Sequence, residues 1–132
     1  MKVEEKDKST QFIVKLLKET LDKKITWSIY PQYDKIKLSD DEQLKGEVFH
    51  AYINKRYIRI FKYETFYLEY SYVNLQEKVK RNIVKYRLEL FNVDSGLCLW
   101  VFPEASALSD LYNAVALKVS KAEEFINSFL ES

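Results

Sequence analysis

The stretch Val48–Tyr63, VFHAYINKRYIRIFKY, decides the fold. β-Branched and aromatic residues dominate it, and the apolar positions recur with a period of two, which is the pattern of strands in a sheet and not of a helix. Asn54-Lys55 falls between two such runs and predicts a two-residue hairpin turn, although Lys is a poorer second residue there than Gly. That turn sets the register: Tyr52 faces Tyr57, Ala51 faces Ile58, His50 faces Arg59, Phe49 faces Ile60 and Val48 faces Phe61. Strand side chains alternate, so Phe49, Ala51, Ile58 and Ile60 share one face, read as core. Val48, His50, Tyr52, Tyr57, Arg59 and Phe61 share the other.

Reading toward the C-terminus, a third strand is expected at Phe66–Val73 after a break near Glu64-Thr65, then a charged connector, Asn74–Asn82, and a fourth strand, Ile83–Asn92. The strongest turn signal follows in VDSGL, where Asp94-Ser95-Gly96 suits a three-residue loop with Gly96 in the left-handed conformation. This loop sets Leu90 opposite Trp100 and Leu88 opposite Phe102, which predicts both large aromatics, with Cys98, on the core side beneath the C-terminal helices. After Pro103 the helical period returns: Leu108, Leu111, Tyr112, Val115 and Val119 form one stripe, with Ser106 as its cap. A second helix is read from Ser120, which with Glu123 makes a capping box, and its stripe is Ala122, Phe125, Ile126, Phe129 and Leu130.

Toward the N-terminus, Ser9–Lys23 reads as a helix with Phe12, Ile13, Leu16, Leu17 and Leu21 on one stripe and Ser9 or Thr10 as its cap. A short strand is placed at Ile25–Tyr30, and Gln32–Lys45 reads as a polar, mobile connector. The expectation is one α+β domain spanning residues 1–132: a helix, an antiparallel sheet of about five strands, and two C-terminal helices.

Composition narrows the function classes. Only two Gly and two Pro are present, which excludes the glycine-rich phosphate loops of Walker and Rossmann sites. The net charge of +1 supplies no global field for nucleic acid or acidic membranes, yet charge is unevenly spread, with a basic middle and an acidic end after Glu104. A single cysteine, Cys98, rules out an internal disulfide and a cysteine-rich zinc cage. With no signal-like apolar stretch in MKVEEKDKST and no run long enough to span a membrane, a cytoplasmic location without a membrane partner is expected.

The segments LWVFP (Leu99–Pro103) and LSDLYNAVALKVSKAEEFINSFL (Leu108–Leu130), and more weakly the Tyr/Arg-rich hairpin and ITW, resemble a loose set of small uncharacterised bacterial proteins. The resemblance implies an α+β fold and carries no activity, cofactor or functional residue.

Catalytic chemistry finds little purchase. His50 is the only histidine, and parity separates it from Cys98; Asp40, Asp41 and Glu42 read as a solvated loop, and no cofactor is expected. The favoured reading is a non-catalytic interaction module, such as an inhibitor, immunity factor, adaptor or accessory protein of a mobile element or defence system. It would bind a protein partner or a second copy of itself through an outer sheet face centred on Tyr52, Tyr57, Arg59, Phe61 and Tyr63. The rival reading is a single-strand nucleic-acid binder stacking bases on the same rings, with Lys55, Arg56, Lys62, Lys80, Arg81, Lys85 and Arg87 as phosphate contacts.

Overall fold

Strand pairing organises the chain. A computed structural model describes residues 2–71, 73 and 76–132. It has the helix α1 (Lys2–Leu21), the strands β1 (Ser28–Ile29), β2 (Gln43–Ile53), β3 (Arg56–Tyr70), β4 (Lys78–Phe91) and β5 (Cys98–Val101), and the helices α2 (Ala107–Ser120) and α3 (Ala122–Glu131). The five strands form an antiparallel meander in sequence order, β1-β2-β3-β4-β5. The fold is α+β, as the patterning indicates.

The Asn54-Lys55 turn forms with both residues at positive φ, 47° and 66°, the geometry of the primed two-residue hairpin. Every pair in the expected register from Tyr52↔Tyr57 to Phe49↔Ile60 is present. Beyond it, Gly46 at φ 76° accompanies an irregularity between Lys45 and Phe49. A Cβ at Gly46 would lie 3.0 Å from the Tyr112 hydroxyl, which donates to the Glu47 carbonyl at 2.9 Å and pins α2 to the sheet.

Two cores result. On one face Ile13 and Leu16 of α1 and Leu108, Leu111, Tyr112 and Val115 of α2 bury Phe49, Ala51, Ile58, Ile60, Leu88 and Phe102. Trp27 anchors the end of α1, donating from its indole nitrogen to the buried Thr20 hydroxyl at 3.0 Å, while Thr20 donates to the Leu16 carbonyl at 2.7 Å. On the other face Tyr30, Ile36, Val48, Phe61, Tyr63 and Phe91 pack together with Leu38 and Leu44. Tyr30, at the end of the expected first strand, and residues 32–38 of the expected polar connector are therefore the cover of this second core, and Tyr33 donates to the Glu47 carboxylate at its edge.

Several boundaries differ from the sequence reading. α1 runs through Ser9 and Thr10, so neither caps it. β3 continues without a break through Glu64-Thr65, and Lys78–Asn82, read as connector, is paired strand, with Phe66↔Asn82 and Tyr70↔Lys78 in register. Tyr72, Asn74 and Leu75, at the end of the expected third strand and the start of the connector, lie outside the described residues. The Ser120–Glu123 capping box does not form: Lys121 takes the cap in the left-handed conformation, and the Glu123 carboxylate accepts from Lys118 at 3.0 Å.

At β5 an extra residue changes the parity. Leu90 faces Trp100 as expected, but Phe91 faces Cys98, so Leu99 is the bulged residue and Cys98 lies on the face of His50, not on the helix side. Phe102 is buried, stacked on Phe12 of α1 with ring centroids 5.1 Å apart. Trp100 is not beneath the helices: it is 46% exposed on the edge strand, touching Phe102 edge-on. Trp100→Ala is accordingly expected to cost about 1 kcal/mol and not the 3–5 kcal/mol of a fully buried aromatic, a difference that urea denaturation resolves.

Gly96 joins the two layers. Its φ is 75°, and a Cβ there would meet Lys35 side-chain carbons at 2.7 and 2.8 Å and the Tyr30 hydroxyl at 3.1 Å. Asn92 shapes the loop, its Oδ1 accepting from the backbone N–H groups of Asp94 and Ser95. Gly96→Ala is expected to cost about 2 kcal/mol, combining left-handed strain with displacement of the covering segment. A drop in thermal midpoint of several degrees would be its signature.

Candidate interaction surfaces

The expected binding face is largely internal. Arg59 and Phe61 are fully buried and Tyr63 nearly so, sealed under the protein's own 30–38 segment, so these three side chains offer no accessible surface. Parity placed them correctly on the face away from the helices; what it did not convey was the cover. Tyr57 is half-buried beside Phe91, and Tyr52 is exposed, its ring 4.7 Å from that of Tyr57.

The chemistry of the second core explains why a cation lies inside it. Arg59 Nε donates to Glu89 Oε1 at 2.8 Å and Nη1 to the Gly96 carbonyl at 2.8 Å. The guanidinium also sits over the rings of Tyr30 and Phe91, 5.2 and 4.6 Å from their centroids. Charge pairing and ring faces together offset part of the hydration that the ion loses on burial, with Nη2 left without a hydrogen-bond partner among the described residues. The group is structural: every contact holds β3, β4, the Gly96 turn and the covering segment in register.

His50 and Cys98 share this face, and neither environment activates its side chain. Burial holds His50 below its ordinary pKa, opposed by the Ser28 backbone carbonyl, and its ring meets Tyr30 and Phe91 edge-on. Burial, and then the nearby Glu89 charge, push the Cys98 thiol up, which disfavours the reactive thiolate. The histidine has a measurable consequence. With a depressed folded pKa, the unfolded chain binds the proton first, so stability is lost as pH falls through the ordinary histidine range near ~6.5 and levels off below the folded value. Between about pH 7 and 5 the stability of His50→Phe is expected to fall less steeply than that of the wild type.

The basic candidates do not converge. Lys55 and Arg56 are exposed at one hairpin end, whereas Lys62 lies on the helix side over the Tyr112 ring. Lys80 lies over the Phe66 ring, and Arg81 pairs with Glu69 at 3.1 Å. Lys85 pairs with Glu104 at 3.6 Å, and the half-buried Arg87 with Glu42 at 3.4 Å. An open groove of about 400 Å³ beside the start of α2 is lined by Lys85, Tyr86, Glu104, Ser106 and Ser109, with its two charges already paired. Among the described residues no group of three or more His, Cys, Asp or Glu side chains is placed to hold a metal, and no helix is long and apolar enough to cross a membrane.

Two other surfaces stand out. β2 pairs with β3 only as far as Gln43↔Glu64, so from Phe66 to Tyr70 β3 has β4 as its sole neighbour, and the two form a projecting ribbon. Tyr67, Leu68, Tyr70, Ile83 and Val84 are exposed on it. The second surface is α3. Its apolar stripe is the one expected from the sequence, yet most of it faces solvent: Phe125, Ile126, Phe129 and Leu130 are 75, 51, 74 and 74% exposed. The helical period that revealed this stripe could not show that it lacks a partner.

Fold and surfaces together define an α+β meander with a sheet buried on both faces, a β-ribbon and an amphipathic helix whose apolar side is exposed. Comparison with protein-family models, with curated proteins and with solved structures returns no match.

Proposed function

We propose that the chain is a non-catalytic protein-interaction module, of the adaptor or inhibitor kind, that binds a protein through the apolar face of α3 and the β3–β4 ribbon. The observation that carries this reading is α3 itself. Two phenylalanines about three-quarters exposed, beside Ile126 and Leu130, make an apolar stripe on one helix face, and such contiguous patches are seldom left facing water. Helix-in-groove recognition uses this spacing of anchors. The outer sheet face first expected to bind is replaced in this reading by surfaces that solvent reaches.

The test is site-specific photo-crosslinking in cells, with a benzoylphenylalanine at position 129 and a control at the exposed Lys15. A discrete crosslinked protein band at 129 and none at 15 is the expected result. No band at either position overturns the reading.

The single-strand nucleic-acid alternative, moved from the buried rings to the ribbon, draws on Lys78, Lys80 and Arg81 alongside Phe66, Tyr67 and Tyr70, a basic surface with rings for bases to stack on. Phosphate contacts would make affinity fall steeply with salt. Retention of an oligonucleotide at low salt, lost in Lys78→Glu/Lys80→Glu, would favour this alternative, and no retention at low salt removes it.

A further inference from the structure

We infer that the partner is a second copy of this chain, with α3 of each copy docked on the helix-side face of the other's β3–β4 ribbon. The inference rests on the interaction reading above and names its occupant. It begins from the two faces of the ribbon. Cross-strand pairs share a face, so Phe66, Leu68 and Tyr70 of β3 lie with Asn82, Lys80 and Lys78 of β4 on the side that, nearer the middle of the sheet, carries Ile58, Ile60 and Leu88 beneath the helices. Past Lys62 and Tyr86, which touch Tyr112, the helical cover gives out while the apolar face continues.

Charge selects this face. Lys78 and Lys80 lie over the Tyr70 and Phe66 rings, making a surface both apolar and positive. Among its acids Glu64 is held by Lys45 at 3.8 Å and Glu42 by Arg87 at 3.4 Å, while Asp40 and Asp41 line the hollow at the base of the ribbon and leave Lys78, at its far end, as the cation most distant from them. Glu69 belongs to the opposite face, where Arg81 engages it. α3 has the complementary character: Glu124 and Glu131, with Glu123 already held by Lys118 at 3.0 Å and no Lys or Arg within the helix, around the exposed Phe125, Ile126, Phe129 and Leu130. Within one copy α3 makes its main contact with α2, so both surfaces remain available.

Dimensions agree. The 10 residues of α3 make a helix about 15 Å long at ~1.5 Å per residue. The ribbon from Phe66 to Tyr70 extends about 17 Å at ~3.4 Å per residue. A two-stranded ribbon is marginal on its own and gains from a helix laid across it. Around a twofold axis the contact occurs twice. With roughly 100–150 Å² left exposed by each phenylalanine and comparable amounts by Ile126 and Leu130, two docks reach the range of about 1,200–2,000 Å² typical of stable interfaces.

The test is light scattering on the purified full chain over a concentration series, with circular dichroism and melting to confirm folding. The wild type is expected to have twice the monomer mass. Phe125→Asp/Phe129→Asp, which alters only exposed side chains, is expected to be a folded monomer. Lys78→Glu/Lys80→Glu and Glu124→Lys/Glu131→Lys should each self-associate about tenfold more weakly. Their equimolar mixture should recover the dimer, because each dock in the mixed pair again joins opposite charges. A strictly monomeric wild type, a dimer indifferent to the α3 substitutions, a mixture that does not recover, or a ladder of larger species overturns the closed pair. A monomeric wild type accompanied by a crosslink at position 129 to a protein of another mass would remove this inference and leave the interaction reading standing, whereas absence of both would remove both.

Discussion

Glu89→Ala is expected to lower folding stability by about 3–5 kcal/mol, a large share of the roughly 5–15 kcal/mol that holds a typical domain together. Glu89 and Arg59 are both inside the second core, joined by a 2.8 Å ion pair. Removing the carboxylate leaves a buried guanidinium with the Gly96 carbonyl and two ring faces as its remaining partners, and a cation is costly to keep from water on those terms. The double replacement Arg59→Met/Glu89→Leu separates this cost from the worth of the pair. It is expected to regain most of the loss, because two apolar side chains need no compensation, although the link from Arg59 to Gly96 is forfeited. Urea denaturation of the two variants decides the matter. A cost below about 1 kcal/mol for Glu89→Ala would mean that water reaches the pair and that the second face is not sealed.

The same pair shows where sequence reading stopped. The period-two pattern and the Asn54-Lys55 turn were sufficient for the register, because one buried face with a fixed turn leaves a hairpin little freedom to slip. The VDSGL turn likewise placed Phe102 correctly. Cys98 went to the wrong face because one bulged residue, Leu99, inverts parity, and a bulge has no periodic signature. Arg59 and Phe61 looked like an exposed aromatic-basic centre because their cover is Tyr30, Ile36 and Leu38, three apolar residues dispersed through a polar segment with no repeat of its own. Lys78–Asn82 was missed as strand because both faces of the ribbon reach solvent there, and no alternation is imposed where neither face is a core. For α3 the stripe was legible and its exposure was not, since a 3.6-residue period marks an apolar face without saying what lies against it.

Phe61→Ala provides the sharpest separation between a ring that folds the protein and rings that could bind another. Phe61 is fully buried, in ring contact with Tyr63 at 6.1 Å and packed against Val48 and the covering segment. Truncation removes its transfer energy and leaves a cavity between a sheet and a segment that can collapse only partly, so a loss of about 3–5 kcal/mol is expected. Tyr67 and Tyr70, equally aromatic and only a few residues along the same strand, are half-exposed on the ribbon. Their replacement by Ala is expected to change stability by about 0.5 kcal/mol or less. If the ribbon face grips a second copy, Tyr70→Ala should weaken association at unchanged monomer stability, while Phe61→Ala should impair association only in proportion to the unfolded fraction. The reverse assignment, with Phe61→Ala folded at wild-type stability, would mean that residues 30–38 do not close over the sheet and that the aromatic face is open after all.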